Sequence, residues 1–220
     1  MSLASWRRLL SRAIIGLEQL EQKGQPVPGW ILGGGTALML HSHHRLSKDI
    51  DAFIEDPQYL GIMSPDVTNV WNCRTWDKAA HYLKLKYAEG EIDFIVSSPL
   101  SDLATTFHEV DLTDLPARRK VTIEIEHPAE IALKKMHYRS TMLKSRDIFD
   151  IAVADSIDHK ALVGNLNEIS GAKSALLKRL GGIDRKFLQA ELTELDIQEG
   201  WDDQKQSCLD TVRSLIEQIP

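Results

Sequence analysis

Apolar positions along the chain divide it into a mixed half and a helical half. Trp6, Leu9, Leu10, Ala13, Ile14, Leu17 and Leu20 recur at three- and four-residue spacing, which predicts an amphipathic helix. Gly24 stops it, and Pro26 and Pro28 reinforce the break. A short apolar run, Trp30 to Leu32, meets three glycines, and Thr36 to His41 returns to a helical pattern. Asp49 to Ile54 (DIDAFI) predicts a strand. Residues 57–79 fit short helices or loops equally well. From His81 to Val96, HYLKLKY and EIDFIV alternate around Glu89-Gly90, the pattern of a β-hairpin. KVTIEIE, Lys120 to Glu126, predicts a further strand with Val121, Ile123 and Ile125 on one face. Pro128 then opens a run that stays helical in pattern, with breaks near Gly164, Gly171, Gly181-Gly182 and Gly200. The expected architecture is an α/β (α+β) mixed-sheet core over residues 1–126, followed by a helical domain over 127–220.

Charge changes this picture in one respect. The 220 residues carry a formal charge of -6, and the segment from Phe187 to Pro220 holds two basic against eight acidic side chains. The remainder is formally neutral, which excludes a protein that grips nucleic acid by bulk charge alone. The hydrophobic share of 43% excludes a disordered chain. Two cysteines, Cys73 and Cys208, give neither a disulfide framework nor a CxxC pair. Arg12 and Glu18 interrupt the apolar run that a signal peptide would need, and no stretch is long enough for a membrane span. A cytoplasmic protein with no membrane association is expected.

Candidate chemistry concentrates in LGGGTALMLHSHHRLSKDID, Leu32 to Asp51. Asp49 and Asp51, two apart on a strand, point to the same face, where their charges repel unless a cation or water relieves them. Mg²⁺ would do so, and so would an exposed face in water. Gly33-Gly34-Gly35-Thr36 sits between an apolar strand and a helix, where backbone N–H groups can approach a phosphate; a tight strand-to-helix turn needs the same glycines. Neither a P-loop nor GxGxxG is present. Asp93, flanked by Ile92 and Phe94, adds a third carboxylate on the polar face of a later strand.

A glycine turn, a helix, a DxD strand and a later lone Asp together resemble the DNA polymerase β-like nucleotidyltransferases. GGTAL followed by HRLSKDIDAF is similar to the AbiEii/AbiGii toxin family. AEIALKKMHYRSTMLKSRDIFDIA resembles that family's second signature, a Lys, an Arg and then an RD-aromatic-D element. The resemblance implies a metal-dependent nucleotidyltransferase, with its site in the groove between core and helical domain, moving a nucleoside monophosphate from a triphosphate to an acceptor. On this chain Gly34, Gly35 and Thr36 would hold the triphosphate. Asp49, Asp51 and Asp93 would ligate Mg²⁺ or Mn²⁺, Asp93 also serving as general base. Lys135 and Asp147 would be the further catalytic pair, with Lys134 an alternative lysine that holds phosphate or base and Asp150 a second acidic candidate. Arg45 and Ser47 would contact the triphosphate or support the loop. The acceptor would be tRNA or protein. The chain would be the toxin of a bacterial toxin–antitoxin or abortive-infection pair, its antitoxin encoded nearby and not necessarily in contact with it. A non-catalytic nucleotide- or partner-binding module on the same fold, and a small-molecule (antibiotic) nucleotidyltransferase, are the alternatives.

Three further signals compete. His41, His43 and His44 carry ligand chemistry for zinc but lack an evident fourth ligand. The basic residues from Arg118 to Lys120, and others through Lys186, fit either a wall for RNA or ordinary surface. Trp71, Trp76 and Tyr82 fit either base stacking or a core.

Overall fold

A computed structural model describes residues 5–220. The chain forms two compact units. One comprises residues up to 37 together with 47–98 and 105–125; the other comprises 38–46, 99–104 and 126–220.

The first unit is built on a seven-stranded sheet. Its strands are β1 (Ile31–Gly33), β2 (Ile50–Ile54), β3 (Thr75–Ala79), β4 (Tyr82–Lys86), β5 (Glu91–Val96), β6 (Thr106–Asp111) and β7 (Lys120–Ile125). Their order is β3-β4-β5-β2-β1-β7-β6. The pairs β2/β5 and β1/β7 run parallel and the others antiparallel. Alternation decides which face each side chain takes. Ile50, Ala52 and Ile54 of β2 and Ile92 and Phe94 of β5 are buried, which leaves Asp51 and Asp93 on the opposite face. Helix α1 (Ser5–Gln22) buries Trp6, Leu9, Leu10, Ala13, Leu17 and Leu20, the stripe its spacing predicts. Trp71 stacks near Phe94, ring centroids 5.3 Å apart, and lies so close to Gly16 that a Cβ there would sit 2.3 Å from the indole.

Two strands of this unit are missing from the sequence expectation. Helix α3 (Gln58–Met63) is one of the short helices that the open segment allowed, but strand β3 in the same segment and β6 were not expected. Both β3 and β6 lie at sheet edges and are mostly exposed, so they lack the alternation that marks a half-buried strand. Strand β2 begins at Ile50, so Asp49 lies one residue before it.

The second unit is helical. The end of α2 (Gly34–Ser42) belongs to it, with α4 (Pro128–Tyr138), α5 (Ser145–Ile157), α6 (His159–Gly164), a 3-10 helix (Leu166–Ala172), α7 (Lys173–Gly181), α8 (Arg185–Thr193) and α9 (Asp202–Glu217). Pro128 occupies the first turn of α4, and His127 caps it by accepting the Ala129 N–H. The acidic C-terminal segment is amphipathic: Leu188, Leu192, Cys208, Leu209, Val212, Leu215 and Ile216 are buried, so its charges lie on the outer face of a packed layer. No helix among the described residues is long and apolar enough to cross a membrane.

Candidate active site

The glycine turn and the aspartates meet in the first unit. Gly33 ends β1 in register with Asp51 of β2, and Asp51 is in register with Asp93 of β5. Adjacent strands lie about 4.8 Å apart, so the two carboxylates share one row. Gly34 opens α2 at φ 63, a conformation that disfavours any residue with a Cβ. A Cβ here would also lie 2.0 Å from Asp51 Oδ2. Glycine therefore lets the N-terminus of α2 rest directly against a carboxylate. Thr36 is fully buried and its hydroxyl donates to the Asp49 carbonyl, tying the helix to the start of the DxD segment. Asp49 Oδ1 accepts the Glu91 N–H at 3.0 Å, with Gly90 (φ 150) leaving room beside it. Gly35 is buried, and Ser47 is half-buried in the loop before β2.

Asp93 is the most perturbed of the three carboxylates. Its Oδ2 accepts from Lys84 Nζ at 2.7 Å, and its Oδ1 is buried with no hydrogen-bond partner among the described residues. Burial pushes the Asp93 carboxyl up to about 6; Lys84 pulls the other way, and the charges of Asp51 and Glu91 add to the push. An orphaned oxygen of Asp93, in register with Asp51, against which the side-chain-free Gly34 packs, suits a hard divalent cation in donor chemistry. Among the described residues no three His, Cys, Asp or Glu side chains converge into a ready cage. Asp49 and Asp93 each turn one oxygen toward a protein donor.

A second cluster lies within the helical unit and gathers residues that the sequence suggested separately. Asp150, completely buried, accepts from Arg45 Nε and Nη2 at 2.7 Å each, from Lys135 Nζ at 3.0 Å, and lies 3.0 Å from His44 Nε2. Lys135 also reaches Asp147 Oδ1 at 2.9 Å, and Arg139 reaches the same oxygen at 2.9 Å. Burial by itself would raise both carboxyls. Arg45 and Lys135 hold Asp150 well below its ordinary range, and Lys135 and Arg139 lower Asp147. His44 is lowered by burial, which outweighs the pull of Asp150. Lys134 instead pairs with Glu126 at 2.5 Å, so Lys135 is the lysine associated with Asp147. Arg45, expected near a triphosphate, is 6% exposed and bonded bidentately to Asp150.

Several further groups were not singled out in the sequence. Lys84 and Glu91 flank Asp93, and the hairpin register that the Glu89-Gly90 turn implies would have placed Lys84 opposite Asp93. Glu130 accepts from Leu100 N, Ser101 N and Ser101 Oγ, a long-range anchor with no local signature. The three histidines have separate surroundings: His41 bonds the Glu126 carbonyl, His44 bonds Ser42 and Asp150, and His43 is exposed. Trp71 is buried and donates to the Met63 carbonyl, Tyr82 donates to Asp77, and Trp76 is exposed.

A family profile described as "Nucleotidyl transferase AbiEii toxin, Type IV TA system" matches residues 19–218, and the chain belongs to that family. Two solved structures of the antibiotic-resistance factor ANT(2'')-Ia are similar. One, in solution, shows 13% identity and a TM-score of 0.46, covering 79% of this chain and 93% of that one. The other, in complex with adenylyl-2''-tobramycin, shows 12% identity and a TM-score of 0.45, covering 76% and 98%. The nucleotidyltransferase toxin MenT4 of Mycobacterium tuberculosis H37Rv shows 13% identity and a TM-score of 0.41, covering 94% and 97%. No curated protein sequence matches the chain significantly.

Proposed function

We propose that the protein transfers a nucleoside monophosphate from a nucleoside triphosphate to a macromolecular acceptor, tRNA or protein, and acts as the toxin of a cytoplasmic toxin–antitoxin pair. The observation that carries this reading is the row of Gly33, Asp51 and Asp93 on three neighbouring strands, with Gly34 pressed on Asp51 and Asp93 Oδ1 left without a hydrogen-bond partner among the described residues.

In this reading the N-terminus of α2, at Gly34 and Gly35, receives the phosphates, and Thr36 holds that turn to the DxD segment. Asp49, Asp51 and Asp93 would hold Mg²⁺ or Mn²⁺. When bound, the ion supplies charge neutralisation for the triphosphate and the departing pyrophosphate. Asp93, half-buried and with a raised pKa, is the carboxylate suited to take the proton from the acceptor nucleophile. Lys135 and Asp147 enter as a fixed charge pair of the helical unit, with Arg45 and Lys134 supporting their own neighbours there and Ser47 the loop before β2. The antitoxin need not touch the toxin in a type IV pair.

Incubation with each labelled triphosphate, Mg²⁺ or Mn²⁺, and total RNA or cell extract tests the reading. Label should move to one acceptor class and vanish with Asp51→Asn. A wild-type protein that binds nucleotide yet labels nothing would instead favour the non-catalytic binding module.

A further inference from the structure

Lys84 stands on the carboxylate face of the sheet, directly opposite Asp93 in the antiparallel β4/β5 register. Its Nζ lies 2.7 Å from Asp93 Oδ2 and 2.7 Å from Glu91 Oε2. The Asp93 side chain is 16% exposed and that of Lys84 27%. The register continues inward from Asp93 to Asp51 and Gly33, so a lysine ammonium is seated at the end of the row proposed to receive a divalent ion. Asp51 and Asp93, side by side and partly buried, repel each other unless a positive charge is near. The ammonium is a compact charge on a flexible stem and can change partners at little steric cost. Glu91, already bonded to it at the same distance as Asp93, offers a place to remain once Asp93 is given up.

We propose that Lys84 is a built-in stand-in cation: it holds Asp93 while no metal is bound, and withdraws to Glu91 when a divalent ion takes the Asp51/Asp93 pair. It is thus a positioning residue that acts through Asp93, and it sets how tightly the metal binds. The inference rests on the metal-dependent reading above and deepens it. Because the ammonium and the ion compete for one carboxylate, removing the ammonium strengthens metal binding, the reverse of what removal of a ligand or a purely structural contact would do.

Mn²⁺ titration of the full-length protein, followed by the electron paramagnetic resonance signal of free Mn²⁺, reads this directly and without catalysis. Lys84→Met and Lys84→Gln should bind Mn²⁺ about tenfold more tightly than wild type, the scale of one unit charge removed at a few ångströms from a partly exposed site. Lys84→Arg, which keeps the charge, should stay close to wild type. Without metal, Lys84→Met should unfold at a lower temperature than wild type and gain more from added Mn²⁺. The glutamine variant, which can still hydrogen-bond both carboxylates, carries the test if the methionine variant does not fold. Equal or weaker Mn²⁺ binding by the neutral variants overturns the inference while leaving the metal site standing. A wild type that binds no Mn²⁺, indistinguishable from Asp51→Asn, overturns the metal reading itself and the inference with it.

Discussion

Replacing Asp150 with Asn is a severe test of how the helical unit is held together. The carboxylate receives two bonds from Arg45, one from Lys135 and a contact from His44, and is itself fully buried. Asn keeps the shape but removes the charge. The Arg45 side chain, 7% exposed, would then lose the charge that its Nε and Nη2 bond to, and Lys135, 10% exposed, would keep its bond to Asp147. Breaking a buried ion pair from one side costs about 3–5 kcal/mol, because the remaining charge stays desolvated. Arg45→Met should cost a similar amount by taking the bidentate partner from a fully buried Asp150 and leaving Lys135 to compensate both Asp147 and Asp150. The double variant should lose clearly less than the two single losses combined, since it leaves no orphaned charge between the two positions. Urea unfolding followed by circular dichroism measures all three, with an unchanged denaturant slope confirming that the states compared are the same. A loss below about 1 kcal/mol for Asp150→Asn, or additivity within about 0.5 kcal/mol, would refute the reasoning.

Further outcomes follow from other contacts. Gly34→Ala combines a left-handed backbone with a Cβ 2.0 Å from Asp51 Oδ2. Backbone strain of about 1–3 kcal/mol and displacement of that carboxylate should abolish Mn²⁺ binding while far-ultraviolet dichroism stays native; retained metal affinity would show that the glycine turn does not shape the site. Acidification should destabilise the helical unit in two stages. His44 has a lowered pKa, so its contribution is intact above its ordinary 6.5 and is lost as pH falls below it. Asp147 and Asp150 are also lowered, and their contribution disappears only as pH falls below the ordinary 3.8. His44→Gln should flatten the upper stage alone in urea unfolding measured from pH 7 to pH 3. Glu130→Ala removes three bonds to Leu100 and Ser101; hydrogen exchange should accelerate at both amides, with a stability loss of about 1–3 kcal/mol.

What the sequence reveals depends on whether the signal is local. The face taken by Asp51 and the place of the glycines are legible because a strand alternates and a strand-to-helix turn needs glycine, whereas Asp49, which the pattern counts into the strand, falls one residue before it. The β4/β5 hairpin is legible for the same reason, and its turn carries the register that places Lys84 against Asp93. Edge strands β3 and β6 escape notice because solvent covers their outward positions and no apolar period survives. The roles of Arg45 and Asp150 escape it for a different reason: their pairing spans 105 residues, and nothing near either one distinguishes a buried bidentate partner from a surface charge. The RD-aromatic-D element in SRDIFD marks Asp147 and Asp150 as a pair, and the helix explains why both count. Three residues apart on α5, they lie on one face, where a single lysine from α4 can bond to both. A motif read along the chain as two separate acids is, in the folded unit, one anionic seat for Lys135. That is why the role of this lysine is better judged from the pair than from either aspartate alone.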